Sequence, residues 1–367
     1  MPPLAEEALS FVWRTETDAL KPPKLSPIDD GESADKALAR VKRGEVLWYK
    51  GDFHNAKQLL TAMERRLPRA RNPAKSPLEA FRAERRARQL EQATLSHVVV
   101  ALDENYRLLL ARAPDVALAC TQVWGPAEGP LTVVPLKTLL GMMGAAEWRK
   151  KGLTVPGLTG TLVPHYGVFV PTRTDYVELL GSLKGVTGKR VFDVGTGTGV
   201  LSFLLLQQGA ASVVATDVDE RAVACARENA KNLGFAESFS AGVGDGFPEG
   251  RADIVVCNPP WLPEEPKNRL DRAVFDFENR FLLMFINGLT QHLTPDGFGV
   301  LLLSDFAELL GLRPPSFLNE ALAKVGLVVS EKKSVKARHG KAKDKGDPLF
   351  DVRSRETITR YTLRRSP

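Results

Sequence analysis

The stretch Arg190-Val191-Phe192-Asp193-Val194-Gly195-Thr196-Gly197-Thr198-Gly199-Val200 decides how this chain folds. Arg190–Val194 is a short apolar run of β-branched and aromatic residues, the pattern of a strand buried on both faces. A glycine-rich turn follows, and Val200–Gln208 reads as a helix. A strand that breaks into glycines and then a helix opens a doubly wound sheet, whose ligand lies beyond the carboxyl end of that strand. The glycines let the backbone bend sharply and approach a ligand with no Cβ in the way. Their spacing argues against a dinucleotide site, which expects glycine three positions after the second one. Val200 stands there, and the glycines recur at every second residue instead. Asp193, just before the loop, suits a ligand ammonium and not a pyrophosphate.

Downstream, strand and helix patterns alternate. Ser212–Asp217 reads as a second strand, and the next helix carries Val223, Ala226, Ala230 and Leu233 on one face and stops at Gly234. Further strands are expected near Phe239–Asp245, Asp253–Cys257, Gly299–Ser304, Leu327–Ser334 and Thr357–Leu363. This predicts an α/β, Rossmann-like, seven-stranded doubly wound sheet. The last two strands have only a loop between them, so an antiparallel pair is expected.

Upstream the texture is different. Residues 1–34 hold Pro2, Pro3, Pro22, Pro23 and Pro27 among acidic residues and read as a poorly ordered arm. From Ala34 to Leu90 the pattern is helical, broken by Pro68, Pro73 and Pro77. Strand-like runs follow at His97–Leu102 and Tyr106–Ala111, joined by Asp103-Glu104-Asn105 as a turn. The expected organisation is an arm over 1–34, a smaller mixed α+β domain over 35–160 that serves substrate recognition, and a catalytic domain over 161–367.

The 367 residues suit two domains, and 43% hydrophobic with 26% charged residues is ordinary for a globular protein. The three cysteines, Cys120, Cys225 and Cys257, show no metal-ligand spacing, which implies a reducing compartment and no metal. No signal-peptide pattern and no apolar run of membrane-spanning length occur, so a soluble, cytoplasmic protein without a membrane partner is expected. The net charge is +6. Its basic residues concentrate in two runs, one with Arg65, Arg66, Arg69, Arg71, Lys75, Arg82, Arg85, Arg86 and Arg88, the other with Lys332, Lys333, Lys336, Arg338, Lys341, Lys343 and Lys345. Such runs suit a polyanionic partner, and they also suit solvated faces.

Three further motifs carry chemistry. Asp217 ends the second strand, where a carboxylate accepts hydrogen bonds from both ribose hydroxyls of an adenosine, and Asp219 reads as the cap of the next helix. Gly244-Asp245-Gly246 follows the third strand, where Asp245 can take an adenine amino group. Asn258-Pro259-Pro260-Trp261 ends the fourth strand, and its prolines cannot continue a ladder, so the chain leaves the sheet rigidly. The Asn258 carboxamide and the Pro259 carbonyl can both accept hydrogen bonds from one planar NH2 group. Holding both hydrogens pulls that nitrogen toward tetrahedral geometry and frees its lone pair. Trp261 offers an aromatic face on which a planar base or amide can stack, worth roughly 1–3 kcal/mol for a base.

Together these motifs resemble the class I S-adenosylmethionine-dependent N-methyltransferases with an Asn-Pro-Pro-aromatic signature. That group includes release-factor glutamine, adenine-N6 and ribosomal RNA guanine-N2 methyltransferases. The resemblance covers residues 167–363 and implies S-adenosylmethionine as cofactor. It places the methionine part on Asp193, Gly195 and Gly197 within the loop that holds Thr196 and Gly199. It places the ribose on Asp217 beside Val218, the adenine on Asp245 and Gly246, and the target nitrogen on Asn258 and Pro259, next to Pro260 and Trp261. Thr172 and Arg173, in the segment before the first strand, are expected to touch the cofactor. His165 and Tyr166 read either as reaching the target pocket or as structural.

The expected acceptor is an exocyclic base amine of ribosomal or transfer RNA. Protein glutamine and a small-molecule amine are the enzymatic alternatives, and an RNA-binding assembly factor is the non-enzymatic one.

Overall fold

The computed structural model describes residues 10–16, 24–68 and 75–366. The chain divides into two compact units, residues 1–73 with 82–147, and residues 74–81 with 148–367. Among the described residues no helix is long and apolar enough to cross a membrane.

In the first unit, β1 (Val12–Trp13), β2 (Ser26–Ile28), β3 (Leu47–Tyr49), β4 (Val98–Asp103) and β5 (Leu131–Pro135) form one sheet in the order β1-β5-β4-β3-β2. Its helices are α1 (Ala34–Lys42), α2 (Phe53–Arg66), most of α3 (Pro77–Leu95), α4 (Ala117–Trp124) and most of α5 (Leu136–Lys151). Local chemistry starts the first two. Ser33 Oγ accepts from the Lys36 N–H, and Asp52 Oδ1 accepts from the N–H groups of His54 and Asn55. Their apolar faces, Ala37, Leu38 and Val41 on α1 and Ala56, Leu59, Leu60 and Met63 on α2, are buried.

Two expectations change here. The described part of the stretch read as an arm supplies β1, parallel to β5, and β2, parallel to β3. Trp13 packs on the cluster of Val99, Ala101 and Val133, and Ile28 is buried, so apolar contacts hold this stretch to the sheet in spite of its prolines. The rest of that stretch, with Pro2, Pro3, Pro22 and Pro23, lies outside the described residues, as do Pro73, Arg69 and Arg71. Second, Tyr106–Ala111 makes two isolated bridges, Leu108 to Leu102 and Ala111 to Asp52, where a strand was expected. Asp103 Oδ1 accepts from the N–H groups of Asn105 and Arg107 at 2.9 and 2.8 Å, and Tyr106 is left-handed at φ 57°. That local side-chain turn takes the donors an extended hairpin would need.

In the second unit, β6 (Leu153–Thr154) and β7 (Thr161–Leu162) form a hairpin. A seven-stranded sheet follows, built from β8 (Arg190–Val194), β9 (Ser212–Asp217), β10 (Phe239–Val243), β11 (Ala252–Cys257), β12 (Leu293–Ser304), β13 (Leu327–Lys336) and β14 (Thr357–Arg365). The order is β10-β9-β8-β11-β12-β14-β13, and only β14 runs antiparallel to its neighbours. The helices are α6 (Asp175–Gly181), α7 (Val200–Gln207), α8 (Glu220–Asn232), α9 (Arg280–His292), α10 (Phe306–Leu309), α11 (Phe317–Lys324) and α12 (Phe350–Arg353).

Alternation along the strands builds two cores. Val191, Ile254, Val256, Val300 and Leu302 face one layer with Leu180, Phe203 and Val223, while Phe192, Val255, Leu301 and Leu303 face the other with Leu282, Phe285 and Leu322. The same packing places the unit boundary earlier than residue 160. Val155, Leu158 and Leu162 belong to the first of these cores, and Ala80 and Phe81 pack with Leu262, Phe306 and Leu349. Arg360 on β14 is 1% exposed and donates from Nη1 to the Leu179 carbonyl at 3.0 Å, tying α6 to the sheet.

Phe192 is fully buried on β8, between β9 and β11. Phe192→Ala is expected to cost about 3–5 kcal/mol through lost burial and the cavity left behind. Urea unfolding of the full chain checks this, and a cost under about 1 kcal/mol would show that the sheet centre is not tightly packed.

Candidate active site

The site lies where β10, β9, β8 and β11 end side by side. Register places Val243 beside Asp217, Thr216 beside Val194, and Cys257 beside Val194. The Gly195 loop, Asp217, Gly244–Gly246 and Asn258 therefore all leave the sheet at its carboxyl edge.

Asp193 is the deepest member, fully buried at the end of β8. Its Oδ2 accepts from Thr196 Oγ1 at 2.8 Å and from Ser202 Oγ at 2.6 Å. Its Oδ1 is buried without a hydrogen-bond partner. Burial pushes this carboxyl up to about 6 against the two hydroxyls that favour its charge. The loop above it needs glycine at Gly199, which is left-handed at φ 84° and where a Cβ would sit 2.4 Å from a Phe203 ring atom. The N–H groups of Gly195 and Thr196 both bond the Thr216 carbonyl, clamping the loop to β9.

Asp217 is held on both sides. Its Oδ2 accepts from the Gly197 N–H at 2.9 Å and its Oδ1 from the Asp219 N–H at 3.0 Å. Burial raises this carboxyl too, outweighing those bonds. Asp219 caps α8 through the Arg221 N–H. Asp245 is exposed, and Val218 and Val243 stand open at 50% and 58%, an apolar flank beside the two carboxylates. Gly246 is buried, and its carbonyl accepts from Thr216 Oγ1.

Asn258 is half-buried, and its Oδ1 accepts from Trp261 Nε1 at 3.1 Å. The indole also reaches the Leu302 carbonyl at 3.3 Å, and the Arg173 guanidinium lies 5.0 Å from the centre of its ring. The loop beyond runs back to α9, which begins after a left-handed pair, Glu278 and Asn279 (φ 57° and 55°). Asp276 accepts from the N–H groups of Phe281 and Leu282, and Arg313 Nη1 donates to Asn279 Oδ1 at 3.1 Å.

Residues 175–259 match the family model described as ribosomal protein L11 methyltransferase (PrmA). A release factor glutamine methyltransferase of Deinococcus radiodurans is 35% identical over 161 residues, 43% of this chain and 52% of that protein. A putative protein N5-glutamine methyltransferase of Methanocaldococcus jannaschii is 35% identical over 113 residues, 29% of this chain and 54% of the relative. A tRNA1(Val) (adenine(37)-N6)-methyltransferase of Pedobacter heparinus is 35% identical over 107 residues, 28% and 45% of the two chains. The chain thus spans about half the length of these curated relatives. Over these spans the second unit is similar to S-adenosylmethionine-dependent N-methyltransferases, and its sheet order is that of a doubly wound α/β fold.

The residues at this sheet edge fit S-adenosylmethionine. S-adenosylmethionine carries a sulfonium and an ammonium beside an adenosine, and the sheet edge offers Asp193, Asp217 and Asp245 with an open apolar flank. The unpartnered Asp193 Oδ1 is an unmet acceptor buried beneath the glycine loop, and it suits a nearby positive charge. Asp217 and Asp245 would hold the adenosine, with Val218 beside it.

The structure changes other assignments. Arg173 does not present itself to a ligand. Its Nε and Nη2 donate to Asp175, with Nη2 at 2.7 Å, and its Nη1 donates to Glu356 at 3.0 Å. Thr172 is exposed, with its N–H on the Val170 carbonyl. Trp261 is not a free stacking platform either, since its N–H is tied inward and a ring face carries Arg173. His165 pairs with Glu228 on α8 at 2.8 Å, and Arg149 pairs with the same carboxylate, so His165 is structural. Burial lowers its imidazole below the usual value, outweighing the pull of Glu228. Sequence reasoning missed Ser202, Glu356 and Ser304. Ser202 lies in an apolar helical run and Glu356 just before a strand, where nothing local marks them as partners of Asp193 and Arg173.

A carboxyl that titrates near 6 is ionised above that pH and neutral below it. A ligand that brings an ammonium and a sulfonium toward this carboxyl prefers the ionised form. The dissociation constant for S-adenosylmethionine is therefore expected to rise roughly tenfold between about pH 7 and about pH 5. Titration calorimetry checks this, with Asp193→Asn expected to lose most of the pH dependence. An unchanged affinity in the native protein would show that Asp193 is not coupled to the ligand.

Proposed function

We propose that this protein is an S-adenosylmethionine-dependent N-methyltransferase acting on a planar amino nitrogen. The observation that carries the reading is Asn258 at the carboxyl edge of β11, its amide oriented by Trp261 next to the carboxylates that fit the cofactor. The cofactor supplies an electrophilic methyl on a sulfonium. The chain then has to hold the acceptor nitrogen in line, and positioning of this kind is a large share of the rate gain. Asn258 Oδ1 has a second lone pair left after the Trp261 bond. That lone pair and the Pro259 carbonyl take the two hydrogens of the NH2 group, and the nitrogen lone pair is left to attack. When bound, the cofactor would supply a methyl whose C–S electron pair returns to sulfur as the C–N bond forms. The acceptor proton leaves afterwards to solvent, so no general base is required.

The side-chain amide of a protein glutamine is the acceptor this geometry suits best. It needs the two hydrogen bonds but little stacking area, and Trp261 has an edge and a face engaged already. Two of the relatives bear glutamine methyltransferase names. One observation favours RNA instead. Arg82 and Arg86 of the first unit are exposed, as are Lys332, Lys333 and Lys336 of β13. Those lysines also line an edge strand, where charge blocks unwanted pairing, and Arg66, Arg88 and Arg338 are neutralised by Asp35, Glu84 and Glu178.

Labelled methyl transfer into a cell extract tests both. With a glutamine acceptor, label resists RNase, yields to protease, and is released as methylamine on acid hydrolysis of the amide. Asn258→Ala is expected to lower transfer at least about a hundredfold while S-adenosylmethionine binding is kept. Label lost to RNase moves the assignment to a base amine, and full transfer by Asn258→Ala removes the amino-nitrogen reading altogether.

A further inference from the structure

Resting on the amino-nitrogen reading, we infer that Arg173 and Glu356 are positioning residues for Asn258, acting through the Trp261 indole. Three separate stretches of the second unit meet there. Arg173 and Asp175 come from the start of α6, Leu302 and Ser304 from the end of β12, and Glu356 from the residue before β14. Asp175 is 1% exposed and Glu356 is 3% exposed, so neither carboxylate can be answered by solvent.

Glu356 is the hub. Its Oε1 accepts from Arg173 Nη1 at 3.0 Å and from Ser304 Oγ at 2.7 Å, while its Oε2 lies 3.0 Å from His339 Nε2. Burial pushes the Glu356 carboxyl up, but His339, Arg173 and Ser304 together outweigh it and hold it below the ordinary value. Held by two carboxylates, the guanidinium is fixed in place, with its carbon over the Trp261 ring at 5.0 Å from the ring centre. The ring in turn can donate from one atom only. Indole N–H is a donor without acceptor capacity, so the Asn258 atom facing it is the oxygen and not the amide nitrogen. The Trp261 bond therefore sets which way the Asn258 carboxamide faces, and the second bond to the Leu302 carbonyl fixes the indole against β12. An asparagine free to flip would present Nδ2, a donor, to an acceptor NH2 that needs acceptors.

This ordering predicts effects that a purely structural ion cluster does not produce. Trp261→Phe keeps a ring for Arg173 to cover and removes only the N–H. It is expected to slow methyl transfer about tenfold with S-adenosylmethionine affinity unchanged, because a small misorientation at the acceptor is enough. Arg173→Met keeps the length of the side chain but leaves two buried carboxylates unpaired, which also destabilises the fold. Glu356→Gln keeps the shape of the hub and serves where that variant does not fold.

The probes are hydrogen exchange of the Trp261 indole N–H by nitrogen-15 NMR, calorimetric titration with S-adenosylmethionine alone, and labelled methyl transfer into a cell extract. Arg173→Met or Glu356→Gln is expected to speed indole exchange at least about tenfold and to slow transfer by about the same factor. The Arg173→Met, Trp261→Phe double variant is expected to be no slower than the slower single one, since both act on one element. Native indole exchange in Arg173→Met and Glu356→Gln, undiminished transfer by Trp261→Phe, or additive losses in the double variant would overturn the inference. If Asn258→Ala itself transferred methyl at the native rate, the underlying reading would fail instead, and the two failures are told apart by that variant.

Discussion

A carboxylate with no countercharge sits at the centre of the site, and the arrangement around it follows from keeping Asp193 there. Charge in an apolar interior is costly unless it is answered. Here Thr196 and Ser202 answer one oxygen and leave the other without a partner. The two hydroxyls come from the loop and the helix on either side of Gly199, so the same bonds that stabilise the charge also shape the glycine loop. Asp217 extends the logic one strand over. Its carboxylate ties the Gly197 N–H to the start of α8, which couples the loop above β8 to the helix after β9. A site built this way is organised around negative charge before any ligand arrives, and a cationic ligand is what relieves it.

The Asn258 end of the site is held by a different device. Prolines at Pro259 and Pro260 end β11 abruptly, and a free loop there would leave Asn258 able to rotate. The indole of Trp261 removes that freedom by donating to Asn258 and to β12 at once. Its role is thereby closer to that of a strut than of a platform, and the weight of the acceptor reading moves from stacking to hydrogen bonding. The charge cluster behind the indole shows why an arginine serves here and a lysine would not. Only a planar fork meets Asp175 and Glu356 together while lying on an aromatic ring.

The first unit carries its own mixed sheet, with buried apolar faces on α1 and α2 and its acidic side chains used in local structure. Asp52 caps α2 and pairs with Arg112, and Asp30 accepts from the Tyr49 hydroxyl at 2.5 Å, which with burial pushes that phenol far above its ordinary value. These groups are engaged with one another.

What the sequence by itself determined is everything set by short-range backbone chemistry. The spacing of Gly195, Gly197 and Gly199 placed the strand, the turn and the helix, Asp219 announced a cap, and Pro259–Pro260 marked the end of a strand, each within a residue or two of where it stands. Asp193, Asp217, Asp245 and Asn258 were legible as a set because parallel strands deliver their carboxyl ends to one edge, so sequence order became spatial order. What only the tertiary structure decided depends on partners distant in the chain. Arg173 and Glu356 lie far apart in sequence and meet at 3.0 Å, which no local pattern records. The same holds for Trp13 and Ile28, whose place in a sheet was hidden by the prolines around them and became visible only through their packing. It holds for Trp261 as well, since an exposed aromatic face and an indole tied to Asn258 read identically in sequence, and only the neighbours reveal which direction the ring is used.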